Sequence, residues 1–166
     1  MQINTPLAKL TAVFRTLGAP NPESWARSEI TEGIPQLARF LFLRQAWRNV
    51  ISDDGDQWIS NEIEYATKRP AEPGAGAGLA LKRLLAAGAS PKDLTELVRV
   101  MQWQLLFNLC YQLEDPGDVE PEVSHMAWAL FEVDADGNPI QQIGGLHESV
   151  LETDPTGREM RPKPAV

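Results

Sequence analysis

Residues 100–113 read VMQWQLLFNLCYQL, an uncharged run in which only Gln102, Gln104, Asn108 and Gln112 are polar. A helix that apolar is not stable alone in water, so the rest of the chain has to be organised to cover it. Ser90 stands before it as an N-cap and Pro91 takes the first helical position, which predicts a helix over about residues 91–113. Gln104, Asn108 and Gln112 recur every four residues as one polar strip on an otherwise apolar cylinder. The expected architecture is α+β and mainly α-helical, with about five to six helices around this central segment and a β-hairpin near the C-terminus.

The helices expected to surround it carry their own start and stop signals. Thr5 and Pro6 open a helix that Gly18 ends, with Leu7, Leu10, Val13, Phe14 and Leu17 on one face. Asn21-Pro22 opens a second, bearing Trp25 and Ile30. A third starts near Pro35 and runs through LARFLFLRQAWRNVI; apolar residues cover most of its circumference, and Arg44 and Arg48 form a narrow basic stripe. Asp53, Asp54 and Asp56 cluster before a helix of about 57–67, where carboxylates can accept unpaired amide protons. The KRPAEPGAGAG stretch, 68–78, reads as a loop, and a further helix spans about Leu79–Ala87.

Beyond Glu114 the character changes. EDPGDVEPEV is a proline- and acid-rich linker, and MAWALFEVDADGNPIQQIGG reads as a hairpin with strands near 126–133 and 139–143. Both faces of that hairpin are largely apolar, so it is expected to lie against helices or to be completed by a third strand or a second subunit. The division is thus a helical core over 1–113 and an acidic linker, hairpin and C-terminal segment over 114–166, packed together as one domain. At 43% hydrophobic residues, a chain of 166 can bury about two thirds of its unfolded surface.

Charge follows the same division. Residues 1–113 carry 12 Lys+Arg against 11 Asp+Glu, net +1, whereas residues 114–166 carry 3 against 12, net −9. Such a field repels nucleic acid and anionic lipid and favours a basic partner. No apolar run approaches the roughly 18 residues needed to span a bilayer. The N-terminal residues lack the basic flank and apolar block of a signal peptide, and the single cysteine excludes an internal disulfide. A cytoplasmic protein is expected.

Each catalytic or ligand-binding motif is incomplete. In LHESVLE, a zinc-protease HExxH would need a second histidine where Leu151 stands. The remaining His147, Glu148 and Glu152, with His125 brought near, could still offer a nitrogen and two oxygens. The turn Asp134-Ala-Asp136-Gly-Asn138 resembles part of a calcium loop, but its glycine comes fourth rather than sixth, and a tight turn explains it. GAGAG at 74–78 follows no strand and precedes no Lys-Ser or Lys-Thr, so a flexible loop is a better account than a phosphate cradle. Residues 81–102 have the outline of a helix-turn-helix, but the second helix offers only Lys92 and Arg99 before becoming apolar. Cys110 has the setting of an inert buried thiol.

No complete catalytic constellation and no metal or other cofactor are therefore expected. The leading expectation is a non-enzymatic interaction protein, immunity- or adaptor-like in general character, binding a basic protein through its C-terminal third. Trp128, Asp134, Asp136, Glu148, Glu152 and Asp154 are the expected contact residues. The competing expectation is a small-ligand protein or hydrolase-type enzyme with a site between the helices and the hairpin, for which His125, His147, Glu148, Arg158 and Arg161 are the candidates. A homodimer formed through the hairpin edge is a third.

Overall fold

The computed structural model describes residues 5–115, 117 and 120–163. The fold is α+β and mainly helical: α1 Pro6–Thr16, α2 Pro22–Glu32, α3 Gln36–Ala46, α4 Gln57–Lys68, α5 Ala75–Ala86, α6 Pro91–Gln112 and the single turn α7 Leu146–Ser149. Two short strands, β1 Phe131–Val133 and β2 Pro139–Gln142, pair antiparallel between α6 and α7. The chain packs as two compact units. One is built from the chain up to Arg48 and from Leu105 onward, the other from Asn49–Gln104.

In the first unit, α1 begins where the sequence says it should. The Thr5 side chain accepts a hydrogen bond from Ala8 N–H, and Pro6 occupies the first turn. Phe14, Trp25 and Phe40 come from α1, α2 and α3 to form an aromatic core, with ring centroids 5.6–6.0 Å apart and the two Phe40 pairs edge-on. All three are buried, as is Ala26 beside them. Removing any one ring would cost about 3–5 kcal/mol. The helix that the other elements enclose most fully is α3. It buries Gln36, Arg39, Phe40 and Leu43, and Trp47 and Val50 follow in buried positions just after it.

The C-terminal segment closes on α3 through polar contacts as much as apolar ones. Ile143, Leu146 and Val150 are buried, while the Trp47 indole N–H donates to Val150 O and to Thr153 Oγ1, both at 3.1 Å. The strands are shorter than the sequence suggests, because residues 126–130 find no partner strand. Pairing ends with Ile143 N–H donating to Leu130 O at 2.8 Å, and Gly144-Gly145 then turns the chain into α7. The Trp128 indole donates instead to Gln112 O at 2.6 Å, at the end of α6.

The second unit is α4, α5 and the first half of α6, with Ile59, Leu81 and Leu94 as its buried core. Trp58 packs beside them and donates to Thr95 Oγ1 at 2.9 Å. Asp56 is the N-cap residue of α4 but makes no side-chain capping bond, so the expected carboxylate cap is not formed there. The GAGAG stretch is helical rather than a loop, since α5 starts at Ala75. A Cβ on Gly78 would meet the Glu62 carbonyl and lie 2.7 Å from Ala66 Cβ. Glycine is thus what lets α5 approach the α4 backbone.

The apolar run in α6 is only partly enclosed. Leu94, Thr95, Arg99 and Cys110 are buried, but Leu97, Met101, Leu105 and Leu109, each one turn after the last, stand 48–60% exposed. The buried side thus includes the polar Thr95 and the charged Arg99. Arg99 donates to Ile51 O at 2.6 Å, and Gln102 accepts from Ile51 N–H at 2.8 Å, so these side chains satisfy the backbone after α3. Arg99 is therefore not available to a nucleic-acid groove.

Gly76 and Gly78 separate helix propensity from packing. Gly76 has open space around its Cα, so Gly76→Ala should stabilise by about 0.5–1 kcal/mol. Gly78→Ala should destabilise by about 1–3 kcal/mol through overpacking against α4. Urea unfolding midpoints of the two variants check this; equal shifts in the same direction would contradict the close approach.

Candidate functional site

Of the sequence-derived candidates, His147 is the one that the turn leading into α7 surrounds with partners. Glu114 follows α6 directly, and its carboxylate accepts hydrogen bonds from the amides of Gly145 at 2.7 Å, of Leu146, and of His147 at 3.3 Å. One carboxylate thereby satisfies the unpaired donors at the start of α7, where the helix dipole also favours negative charge. Each charge-assisted bond contributes about 1.5–3 kcal/mol. The His147 ring stands beside it, with Nδ1 3.3 Å from Glu114 Oε1. It is packed edge-on between Phe107 and Tyr111, at centroid distances of 6.1 and 5.1 Å.

Arg39 lies behind this turn and is buried in α3. Its Nη1 donates to Ser149 Oγ at 3.5 Å, and Gly145, at φ 68°, lets the guanidinium pack against bare backbone, because a Cβ there would lie 2.7 Å from Arg39 Cζ. Burial pulls the Arg39 pKa below the usual guanidinium value, while Glu148 and then Glu114 oppose the shift. His147 is therefore partly buried beside Glu114, and Glu114 and the buried Arg39 are residues that the sequence did not single out.

The other catalytic candidates lie elsewhere. His125 is exposed in the turn after the short 3-10 segment Pro121–Val123. Glu148 is exposed, half-buried Arg158 donates through Nη1 to Arg161 O, and Arg161 pairs with Glu159 at 2.6 Å. Among the described residues, no group of three His, Cys, Asp or Glu side chains comes together to hold a metal ion, so His147, Glu148 and Glu152 do not form the ligand set considered from sequence.

Of the expected contact residues, Trp128, Asp134, Asp136, Glu148 and Glu152 are exposed. Asp154 is a correction: it is buried, and its carboxylate accepts from Thr156 N–H and Oγ1–H and from Met160 N–H. It organises the C-terminal turns. Asp134 builds its own turn, accepting from Asp136 N–H, Asn138 N–H and the Asn138 amide, and the Asn138 bonds hold its carboxyl below the usual carboxylate range.

The hairpin presents one side to α2. Gln141 donates to Gly33 O at 2.5 Å, at the C-terminal end of α2. Its cross-strand neighbour Glu132 lies close enough to Glu29 to push that carboxyl's pKa upward, adding to the larger effect of burial and opposed by the Leu37 amide. The Glu132–Gln141 face is thus turned toward the helices. By strand alternation, Phe131 and Val133 belong to the opposite face. They are 45% and 53% exposed, and Ile140 is 61% exposed.

Between α2, the start of α3 and α7 lies an open cleft of about 240 Å³, lined by Ser24, Trp25, Ser28, Glu32, Gln36, Ser149 and Glu152. Only Glu152 among these stood out in the sequence. The serines and glutamine carry no motif, and nothing local indicates that 113 residues of chain separate Gln36 from a wall partner at Ser149.

Cys110 is buried, and burial first and Glu114 second push its thiol pKa up to about 11. At pH 8 only about a thousandth of it would be thiolate. An aromatic disulfide reagent should label one thiol per chain in denaturant and essentially none in the native protein. Native labelling at the rate of a free thiol would contradict the buried setting. In comparisons with known proteins, no family model matches this chain, and no curated protein or solved structure does either.

Proposed function

We propose that this is a cytoplasmic, non-enzymatic protein-interaction protein that binds a basic partner through its C-terminal third. The observation that carries the reading is the exposed apolar side of the hairpin. Its apolar side chains Phe131, Val133 and Ile140 face solvent, with exposed Trp128 nearby, in a segment of net charge −9. Apolar side chains clustered on one small element and ringed by charge mark a contact surface. Trp128 and Phe131 are aromatic anchors of the kind that dominate interface energetics, and Asp134 and Asp136 at the turn give the surface its sign. The Glu114 bonds to α7, its contact with His147 and the Arg39 bond to Ser149 serve the fold under this reading.

The basic partner would be recognised by charge at long range and by the apolar hairpin face at contact. Affinity purification of the tagged protein from its own cell extract, followed by mass spectrometry, should recover a stoichiometric basic protein. That recovery should fall steeply in high salt and be abolished by Ile140→Glu together with Phe131→Glu, both in already exposed positions. Recovery of a stoichiometric metabolite with no protein would contradict the proposal. Elution of the purified protein as a tight dimer that the same two substitutions dissociate would assign the hairpin face to self-association instead.

A further inference from the structure

The cleft between α2, the start of α3 and α7 has the makings of a specific subsite. Two of its lining side chains are more than nine-tenths buried yet leave a polar atom without a hydrogen-bond partner: the Trp25 indole Nε1 and the Gln36 carbonyl Oε1. The Gln36 Nε2 donates to Ser28 Oγ at 2.9 Å, which leaves Oε1 as the unpartnered end of the amide. Unpartnered buried groups are costly, and a binding site is one of the settings in which they persist.

The lining chemistry restricts what could satisfy them. Ser24, Ser28 and Ser149 offer hydroxyls, Gln36 offers an acceptor and Trp25 a donor. Glu32 and Glu152 are the only charged residues in the wall, and both are acidic. Arg39 is not among the lining residues; it donates to Ser149 Oγ at 3.5 Å, and Glu148 and Glu114 act on its charge. A ligand that fits this set donates several hydrogen bonds, carries positive charge, and has an acceptor within reach of the indole N–H. The volume suits a single side chain better than a cofactor.

The geometry points to a cation subsite that takes the guanidinium or ammonium group of an arginine or lysine side chain. Glu32, Glu152 and Gln36 Oε1 accept from the cation, and a backbone carbonyl of the same peptide accepts from Trp25 Nε1. This deepens the partner-binding reading and rests on it: Glu152 and the hairpin belong to the same acidic third of the chain. A free amine such as agmatine shares the cation chemistry but lacks the backbone.

The two indole N–H signals of Trp25 and Trp128 make the test, read in a ¹H–¹⁵N correlation spectrum of the full chain and assigned with Trp25→Phe and Trp128→Phe. The probes are a peptide alternating arginine and glycine, the same peptide with citrulline in place of arginine, and agmatine. The inference expects the arginine peptide to shift the Trp25 signal saturably, citrulline to leave it in place, and Glu32→Gln with Glu152→Gln to weaken binding at least about tenfold. Agmatine acting as strongly as the peptide would still support the cation subsite while naming free amines as its source. A Trp128 shift with an unmoved Trp25 would overturn the subsite and leave the hairpin reading standing. A Trp25 shift with Trp128 unmoved would support the subsite and count against the hairpin. An unmoved pair with every probe would overturn both.

Discussion

Glu114 is the group on which the first unit depends most. It stands just past α6, and its carboxylate takes the amides of Gly145, Leu146 and His147 while His147 Nδ1 rests beside it. Without that anchor, α7 is one helical turn with unpaired donors at its start, far too short to persist alone. With it, Leu146 and Val150 are held in the core and Ser149 meets Arg39. One wall of the Trp25–Gln36 cleft, formed by Ser149 and Glu152, depends on the same turn. So does the closing end of the hairpin, which joins α7 through Gly144-Gly145.

A second regularity concerns which faces the chain hides. The hairpin turns Glu132 and Gln141 toward the helices and leaves Phe131 and Val133 in water, and α6 buries Arg99 and Thr95 while exposing Leu97, Met101, Leu105 and Leu109. Arg99, Thr95 and Gln141 each have a definite partner, although Gln141, like Glu132, stays exposed. Arg99 reaches Ile51 O, Gln141 reaches Gly33 O, and Thr95 meets Trp58. These bonds are satisfied inside each unit, and the apolar side chains stand exposed. That is the physical basis of the interaction reading.

Much of the helical framework was legible because capping is local. Thr5-Pro6, Asn21-Pro22 and Ser90-Pro91 act within a few residues of themselves, and α1, α2 and α6 begin at those signals. GAGAG misled because glycine has two uses, freedom in a loop and closeness in a helix, and only the position of Glu62 and Ala66 decides between them. The orientation of α6 and of the hairpin was illegible for a related reason. Periodicity says that two faces differ, or that both are apolar, but not which one meets the core. At the candidate sites, His147, Trp128 and Glu152 were visible as residue types. Glu114, Arg39, Trp25 and Gln36 acquire their roles only through contacts between segments far apart in sequence.

Hydrogen–deuterium exchange at the amides of Gly145, Leu146 and His147, compared between the native protein and Glu114→Ala, tests the central anchor most directly. Loss of even about 3 kcal/mol of this charge-assisted bonding should speed their exchange by roughly a hundredfold or more. The faster exchange should extend through α7 to Thr153, while amides within Asn49–Gln104 exchange as before. Unchanged protection at those three amides in Glu114→Ala would contradict the account.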